Sequence, residues 1–193
     1  MIENVLTRNG VSFRMKITVK SLISAGIIAL AVILPQLVHL FAGRRAALSG
    51  CLCILPVLIG GCLLGRKWGL GIGMLSPVVS FLITSAFGNP MPALARLPFM
   101  VAELAAFAAV SGMFSEKIVK NAWLAFPAVL LAQVAGRGAF MLLVLIFQSV
   151  TPFTPAVTWS QIQTGLLAIV LQAVIVPFIV MGLRSILIKN ENE

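Results

Sequence analysis

Two ionisable side chains, Glu103 and Arg137, lie inside long apolar segments of the chain. A charged group in hydrocarbon is costly, so each should face the protein interior and find a partner. Their depths are compatible, because both lie within a few helical turns of the same side of the predicted bundle. Two interpretations are open and can coexist: an ion pair that only joins two helices, or a pocket in which Arg137 contacts an anionic or carbonyl group of a solute.

Neighbouring polar and aromatic residues could complete such a pocket. Gln133 lies one helical turn before Arg137, so the two share a helix face. His39, beside Gln36, fits an interfacial residue better than a ligand but is kept as a candidate. The candidate solute-binding residues are Glu103, Arg137, Asn89, Met100, Phe99, Gln133, His39 and Gln172.

Residues for catalysis are few. His39 is the only histidine, there is no Asp, and no His-Glu-x-x-His run occurs, so a nucleophile with a base or a metal is poorly supported. Cys51, Cys53 and Cys62 are interpreted as small buried hydrophobic residues. Ser111 is most simply a packing residue, although an intramembrane hydrolase using Ser111 or His39 stays an alternative. We expect no metal and no cofactor.

The composition predicts an integral membrane protein. Of 193 residues, 60% are hydrophobic and 10% charged, and the mean hydropathy is +1.09. Apolar runs of about 20 residues match the thickness of a bilayer. The formal net charge of +9 comes from basic residues beside these runs, which indicates topology rather than nucleic-acid binding. The stretch "GGCLLGRKW" lacks the Lys-Ser/Thr of a phosphate-binding loop, so no ATP site is expected in this chain.

The elements that must position these residues are six helices in an all-α transmembrane bundle. They are predicted at about 19–42, 46–64, 67–86, 94–115, 120–149 and 159–188. One transmembrane domain, 16–193, follows a polar N-terminal extension, 1–15. Met15 could be the true start, which would leave a weakly ordered extension before it.

An even number of spans puts both termini on one side, and the basic residues indicate which. Three basic residues, Arg44, Arg45 and Arg96, lie on the side away from the termini. The positive-inside rule therefore predicts cytoplasmic termini. The ten basic residues on the side of the termini are Arg8, Arg14, Lys16, Lys20, Arg66, Lys67, Lys117, Lys120, Arg184 and Lys189.

Small residues predict where helices approach closely. Gly61, Gly65, Gly69 and Gly73 recur every fourth residue and favour tight packing of helices 2 and 3. A second stripe at the same spacing, in helix 1, could pack inside the chain or present a docking face to another membrane protein, and spacing alone leaves this open. Its members are Ser21, Ala25 and Ala29.

The outer connections are longer than the cytoplasmic ones and rich in Pro, Gly, Asn and Thr. They are "SAFGNPMPALARLP", 85–98, and "QSVTPFTPAVTWS", 148–160. Such loops are typical of a lid over a pocket, although ordinary connectors have the same composition.

Three stretches resemble one transporter family: "PVLIGGCLLGRKWGLGIGMLSPVVSFLIT" (56–84), "LPFMVAELAAFAAVSGM" (97–113) and "AGRGAF" (135–140). They look like substrate-binding S components of energy-coupling factor (ECF) vitamin transporters. The resemblance covers most of the chain from about Lys16.

The resemblance implies a subunit that captures a vitamin or related micronutrient outside a prokaryotic cell membrane. It implies association with a transmembrane coupling subunit and two cytoplasmic ATPase subunits, which would hydrolyse the ATP, and toppling of the whole subunit to release its load. Ala25 and Ala29 match the stripe that docks on the coupling subunit in that family, with Ser21 one turn before. The non-transport alternatives are the hydrolase and a membrane scaffold that binds no ligand.

Overall fold

The computed structural model describes residues 2, 6–7, 12–42, 47–88, 90, 92–149 and 154–189. Within these ranges the chain forms helices and no β-strand. The helices are α1 (Phe13–Ala42), α2 (Ala47–Leu64), α3 (Arg66–Ala86), α4 (Leu97–Met113), α5 (Ser115–Lys120), α6 (Ala125–Phe147), α7 (Pro155–Thr164) and α8 (Leu166–Lys189). Two short 3-10 helices, Leu94–Arg96 and Ala122–Leu124, precede α4 and α6.

Five segments among the described residues are long and apolar enough to cross a membrane. They are Phe13–Leu37, Arg66–Ala86, Leu94–Met113, Ala122–Phe147 and Ala168–Leu187. The all-α membrane prediction is therefore confirmed in its coarse form. The predicted span 46–64 corresponds to α2, where the described apolar segment is Ile54–Leu64, so the sixth span and the side of the termini stay predictions.

The sides of the bundle expose many large apolar side chains. Leu22 is 74% exposed, Val134 72% and Phe178 58%, whereas Leu58, Phe107 and other core residues are buried. An exposed apolar surface of this extent marks contact with a membrane or another protein. Hydrocarbon around the helices accounts for it.

Some helix boundaries differ from the predicted ones, and local backbone features explain the differences. The predicted helix 159–188 is two helices, α7 and α8, which meet at Gly165. Helix α7 starts early because Thr154 caps it, accepting from Val157 N–H at 3.3 Å, and Pro155 occupies its first turn. Helix α6 starts at Ala125 because Asn121 is extended and its side chain accepts from Trp123 N–H at 3.1 Å.

Glycines let α4 pack closely against α2 and α3. A Cβ added to Gly73 would lie 2.5 Å from the Leu104 carbonyl oxygen, and one at Gly69 would lie 3.0 Å from that of Ala108. The glycine spacing predicted close packing of α2 on α3, and Gly69 does approach Gly61. The glycines mainly allow the close approach of α4, however, because a Cβ at Gly61 would also contact Ala108 on that helix.

The bundle has two chemically different ends. At the basic end α1 begins, α2 turns into α3 at Gly65 (φ +85°) and α8 finishes. There Arg184 donates from Nε and Nη2 to the Val119 carbonyl at 3.1 and 2.9 Å. Ile2, in the predicted N-terminal extension, is buried in the main core. The opposite, proline-rich end carries Leu94–Arg96 and α7.

Candidate functional site

Glu103 and Arg137 meet in the half of the bundle toward the proline-rich end. Arg137 Nη1 on α6 donates to Glu103 Oε1 on α4 at 2.5 Å. The Glu103 side chain is 6% exposed and that of Arg137 30%. The carboxylate is therefore deep in the bundle, while part of the Arg137 side chain is exposed at the surface.

A glycine beside Arg137 creates room for an aromatic ring beneath the guanidinium. The Phe107 ring centroid lies 5.9 Å from Arg137 Cζ, a cation–π geometry. A Cβ on Gly136 would come within 2.7 Å of that ring. In "AGRGAF", Gly136 thus leaves space for the Phe107 ring, and Arg137 places its positive charge over that ring.

Arg137 still has unused hydrogen-bonding capacity. Its Nε is buried and has no hydrogen-bond partner among the described residues. A guanidinium carries five N–H donors, and an unpaired donor in an apolar interior is costly. This N–H of the guanidinium is thus a buried donor left unsatisfied by the described residues.

Gln133 and Gln172 extend the polar strip deeper into the bundle. Gln133 Nε2 on α6 donates to Gln172 Oε1 and to the Ile169 carbonyl on α8, both at 3.3 Å. Both side chains are buried. Gln133 Oε1 is buried and finds no donor in the described part of the chain, so it is an unsatisfied acceptor.

Replacing Gln133 with leucine is expected to change stability by less than about 1 kcal/mol. Interhelical polar contacts in membranes average about 0.6 kcal/mol, and the substitution also removes an acceptor that has no partner. Thermal unfolding in detergent measures the change. A loss of stability above about 3 kcal/mol would contradict this prediction and show that Gln133 is needed to hold the helices together.

Arg96 belongs to the same cluster, although its place in the sequence indicated only a topology signal. Arg96 Nη2 donates to Gln161 Oε1 on α7 at 2.8 Å, and its Cζ lies 5.7 Å from the Phe140 ring centroid. Its Nε is buried without a partner among the described residues. The available signal was its spacing of seven residues from Glu103, about two helical turns; nothing in the sequence indicated Gln161.

Phenylalanine rings form the apolar wall of the cluster. The Phe99 centroid lies 5.9 Å from that of Phe140 and 6.4 Å from that of Phe147. Tilted and edge-on pairs of this kind are favourable. Phe99 and Phe140 pack with Val144 in a small core separate from the main one, so this end has its own aromatic compartment.

The other predicted site residues are placed less directly. Met100 is half-buried on α4, next to Phe99. Asn89 lies outside the described residues, and so does the side chain of His39 on α1. The stripe of Ser21, Ala25 and Ala29 is exposed on the half of α1 toward the basic end, so it is not part of this cluster.

Ser111 and Cys62 pack in the interior. Ser111 is fully buried and donates to the Ala108 carbonyl at 3.3 Å. Gly61 lies against it, since a Cβ there would overlap Ser111 Oγ. Cys62 is a buried free thiol, and the side chains of Cys51 and Cys53 lie outside the described residues. The position of Ser111 favours helix packing over catalysis.

The cluster therefore combines a buried ion pair, a second arginine, two glutamines and several phenylalanines at one end of a membrane bundle. Such an arrangement can bind a small molecule that is polar at one edge and apolar elsewhere. Comparison of the chain with protein-family models, curated proteins and solved structures gave no match in any of the three.

Proposed function

We propose that the chain is the membrane-embedded solute-binding subunit of an ATP-driven importer of the ECF type. One observation carries the proposal: polar atoms of Arg96, Gln133 and Arg137 are buried at one end of an apolar bundle and have no hydrogen-bond partner within the described part of the chain. In a membrane interior such atoms are costly, and they mark functional sites. A bound solute would supply the missing partners.

The side chains define the chemistry that this solute needs. Two guanidinium groups face one carboxylate, which leaves one positive charge in excess. A carboxylate or polarised carbonyl would accept from Arg96 Nε or Arg137 Nε, and an N–H or O–H would donate to Gln133 Oε1. Phe99 and Phe140 supply flat apolar contact. A vitamin or related micronutrient with polar groups on a flat frame meets these needs.

The direction of transport follows from the predicted topology. With the basic end in the cytoplasm, as the positive-inside rule favours, the cluster lies in the outer half of the protein. Arg96 and Gln161 then join the Pro-rich connection to α7 above the cluster. The solute would enter from outside, at the proline-rich end.

ATP hydrolysis is assigned to partners. The chain carries no phosphate-binding loop, so two cytoplasmic ATPases and a transmembrane coupling subunit would drive release. The exposed stripe of Ser21, Ala25 and Ala29 supports docking on that coupling subunit, because small residues let helices approach closely in lipid. This agrees with the resemblance of the chain to S components.

The test is thermal unfolding of the purified protein in detergent against B vitamins, their precursors and nucleobase-like compounds. A ligand at 100 times its Kd is expected to stabilise the native state by about 2.7 kcal/mol. This stabilisation by ligand should be smaller for the variant Gln133→Leu, which removes an acceptor but leaves Glu103 paired with Arg137. Gln163→Leu, at an exposed glutamine on α7, is the matched control and should keep it.

Two results would contradict the proposal. The first is the absence of a shift across the panel. The second is a shift that is equal in the wild type and in Gln133→Leu, which would place the ligand elsewhere. Either result would favour a scaffold in which Glu103 and Arg137 only join helices.

A further inference from the structure

A groove between α1 and α3 opens at the basic end and shares no lining residue with the Glu103 cluster. Its volume is about 210 Å³. This is below the roughly 300–1,000 Å³ of sites that enclose a drug-sized molecule, so the groove suits part of a longer molecule. It is lined by Ser24, Ile28, Lys67, Trp68, Gly71, Ile72 and Leu75.

The groove is polar at one end and apolar along its length. Lys67 and Trp68 stand in the first turn of α3, where a span begins. Leu75 is eight residues further, about 12 Å along the helix. Tryptophan and lysine are typical of the headgroup level of a bilayer. The groove therefore runs from the interface into the hydrocarbon.

A buried hydroxyl, that of Ser24, lines this groove. Ser24 is 8% exposed, and its Oγ finds no hydrogen-bond partner among the described residues. Serines in membrane helices commonly donate to the carbonyl one turn earlier, but Ser24 makes no such bond within the described chain. The hydroxyl is therefore available to a polar group that enters the groove.

The described residues at the groove mouth carry positive charge. Lys67 lines the groove and follows Arg66 at the start of α3. Neither α1 nor α3 contains an acidic residue. Basic residues at this level attract anionic lipid headgroups, each contributing about 1 kcal/mol.

We propose that this groove binds an anionic phospholipid. The phosphate lies at Lys67, the glycerol or ester oxygens accept from Ser24 Oγ, and one acyl chain follows Ile28, Ile72 and Leu75. A helix of another protein is about 10–12 Å across with its side chains, too wide to enter a space of this size. The proposal is independent of solute transport.

The first test fills the groove. Gly71 lines it, and a Cβ there meets nothing within 4 Å, so Gly71→Leu can fold with its side chain in the lipid's place. Gly182→Leu, at an equally open glycine on α8, is the matched control. Native mass spectrometry of detergent-purified protein counts retained phosphatidylglycerol. Gly71→Leu should lose the bound lipid, and Gly182→Leu should retain it.

The second test removes the charge. Lys67→Gln should lower the apparent affinity for phosphatidylglycerol about fivefold, the equivalent of about 1 kcal/mol, and leave that for phosphatidylcholine unchanged. Lys120→Gln, also exposed at the basic end, should have a smaller effect. Equal lipid retention by the two leucine variants, or equal retention of both phospholipids by the wild type, would overturn the proposal. If Gly71→Leu instead disrupts only a complex with another chain, the groove is a protein contact and the proposal is wrong.

Discussion

Replacing Arg137 with methionine is expected to destabilise the protein by about 3–5 kcal/mol, because the buried Glu103 carboxylate loses its partner. Glu103 is 6% exposed and accepts from Arg137 Nη1 at 2.5 Å. Methionine keeps most of the length and apolar volume of the side chain, so the loss reports the charge rather than a cavity. Thermal or denaturant unfolding in detergent gives the free energy.

A matched control and a double variant identify the cause of this loss. Arg66→Met removes an exposed arginine and should change stability by less than about 0.5 kcal/mol. Adding Glu103→Leu to Arg137→Met should recover most of the loss, since replacing a buried pair by apolar residues is often neutral. A single variant as stable as the wild type would show that the pair contributes little in the membrane environment.

The same double variant separates the two roles of the pair. If Glu103 and Arg137 only join helices, the double variant folds and any solute that binds the wild type still binds it. If Arg137 also contacts solute, binding is lost in a protein that is still folded. Stability alone therefore cannot decide between these roles, and the two measurements belong together.

The pairing of Glu103 with Arg137 could be predicted because hydrocarbon leaves few alternatives for a charged group. Two opposite charges at compatible depths in different spans must face inward, and each stabilises the other. Gln133 followed from its position one turn before Arg137 on the same helix face, whereas its bond to Gln172 was not predicted. In a membrane protein, rare polar residues are thus unusually informative about tertiary contacts.

The remaining features depend on contacts that periodicity does not specify. Arg96 resembled a loop charge, and its bond to Gln161 joins residues 65 positions apart. The break at Gly165 lies inside a run that was apolar enough for one helix. Glycine spacing showed which helix faces allow close approach, but it could not show that α4 is the helix that packs against them. A groove such as that at Ser24 depends on where two helices diverge.

A second large loss of stability is expected on replacing Gly73 with alanine, because α3 packs closely on α4 at this residue. A Cβ there would lie 2.5 Å from the Leu104 carbonyl oxygen and 3.0 Å from the Ala105 Cα. These are backbone atoms of a helix, so relief requires the two helices to separate. Gly73→Ala should therefore cost at least about 1–3 kcal/mol, measured by unfolding in detergent.

Gly71, two residues away on the same helix, is the control for this substitution. A Cβ at Gly71 meets nothing within 4 Å, so Gly71→Ala should stabilise the helix by about 0.5–1 kcal/mol. The two alanine variants should thus differ in sign, although they make the same chemical change in the same helix. If both are stabilising, α3 and α4 can move apart without cost, and their close approach contributes little to stability.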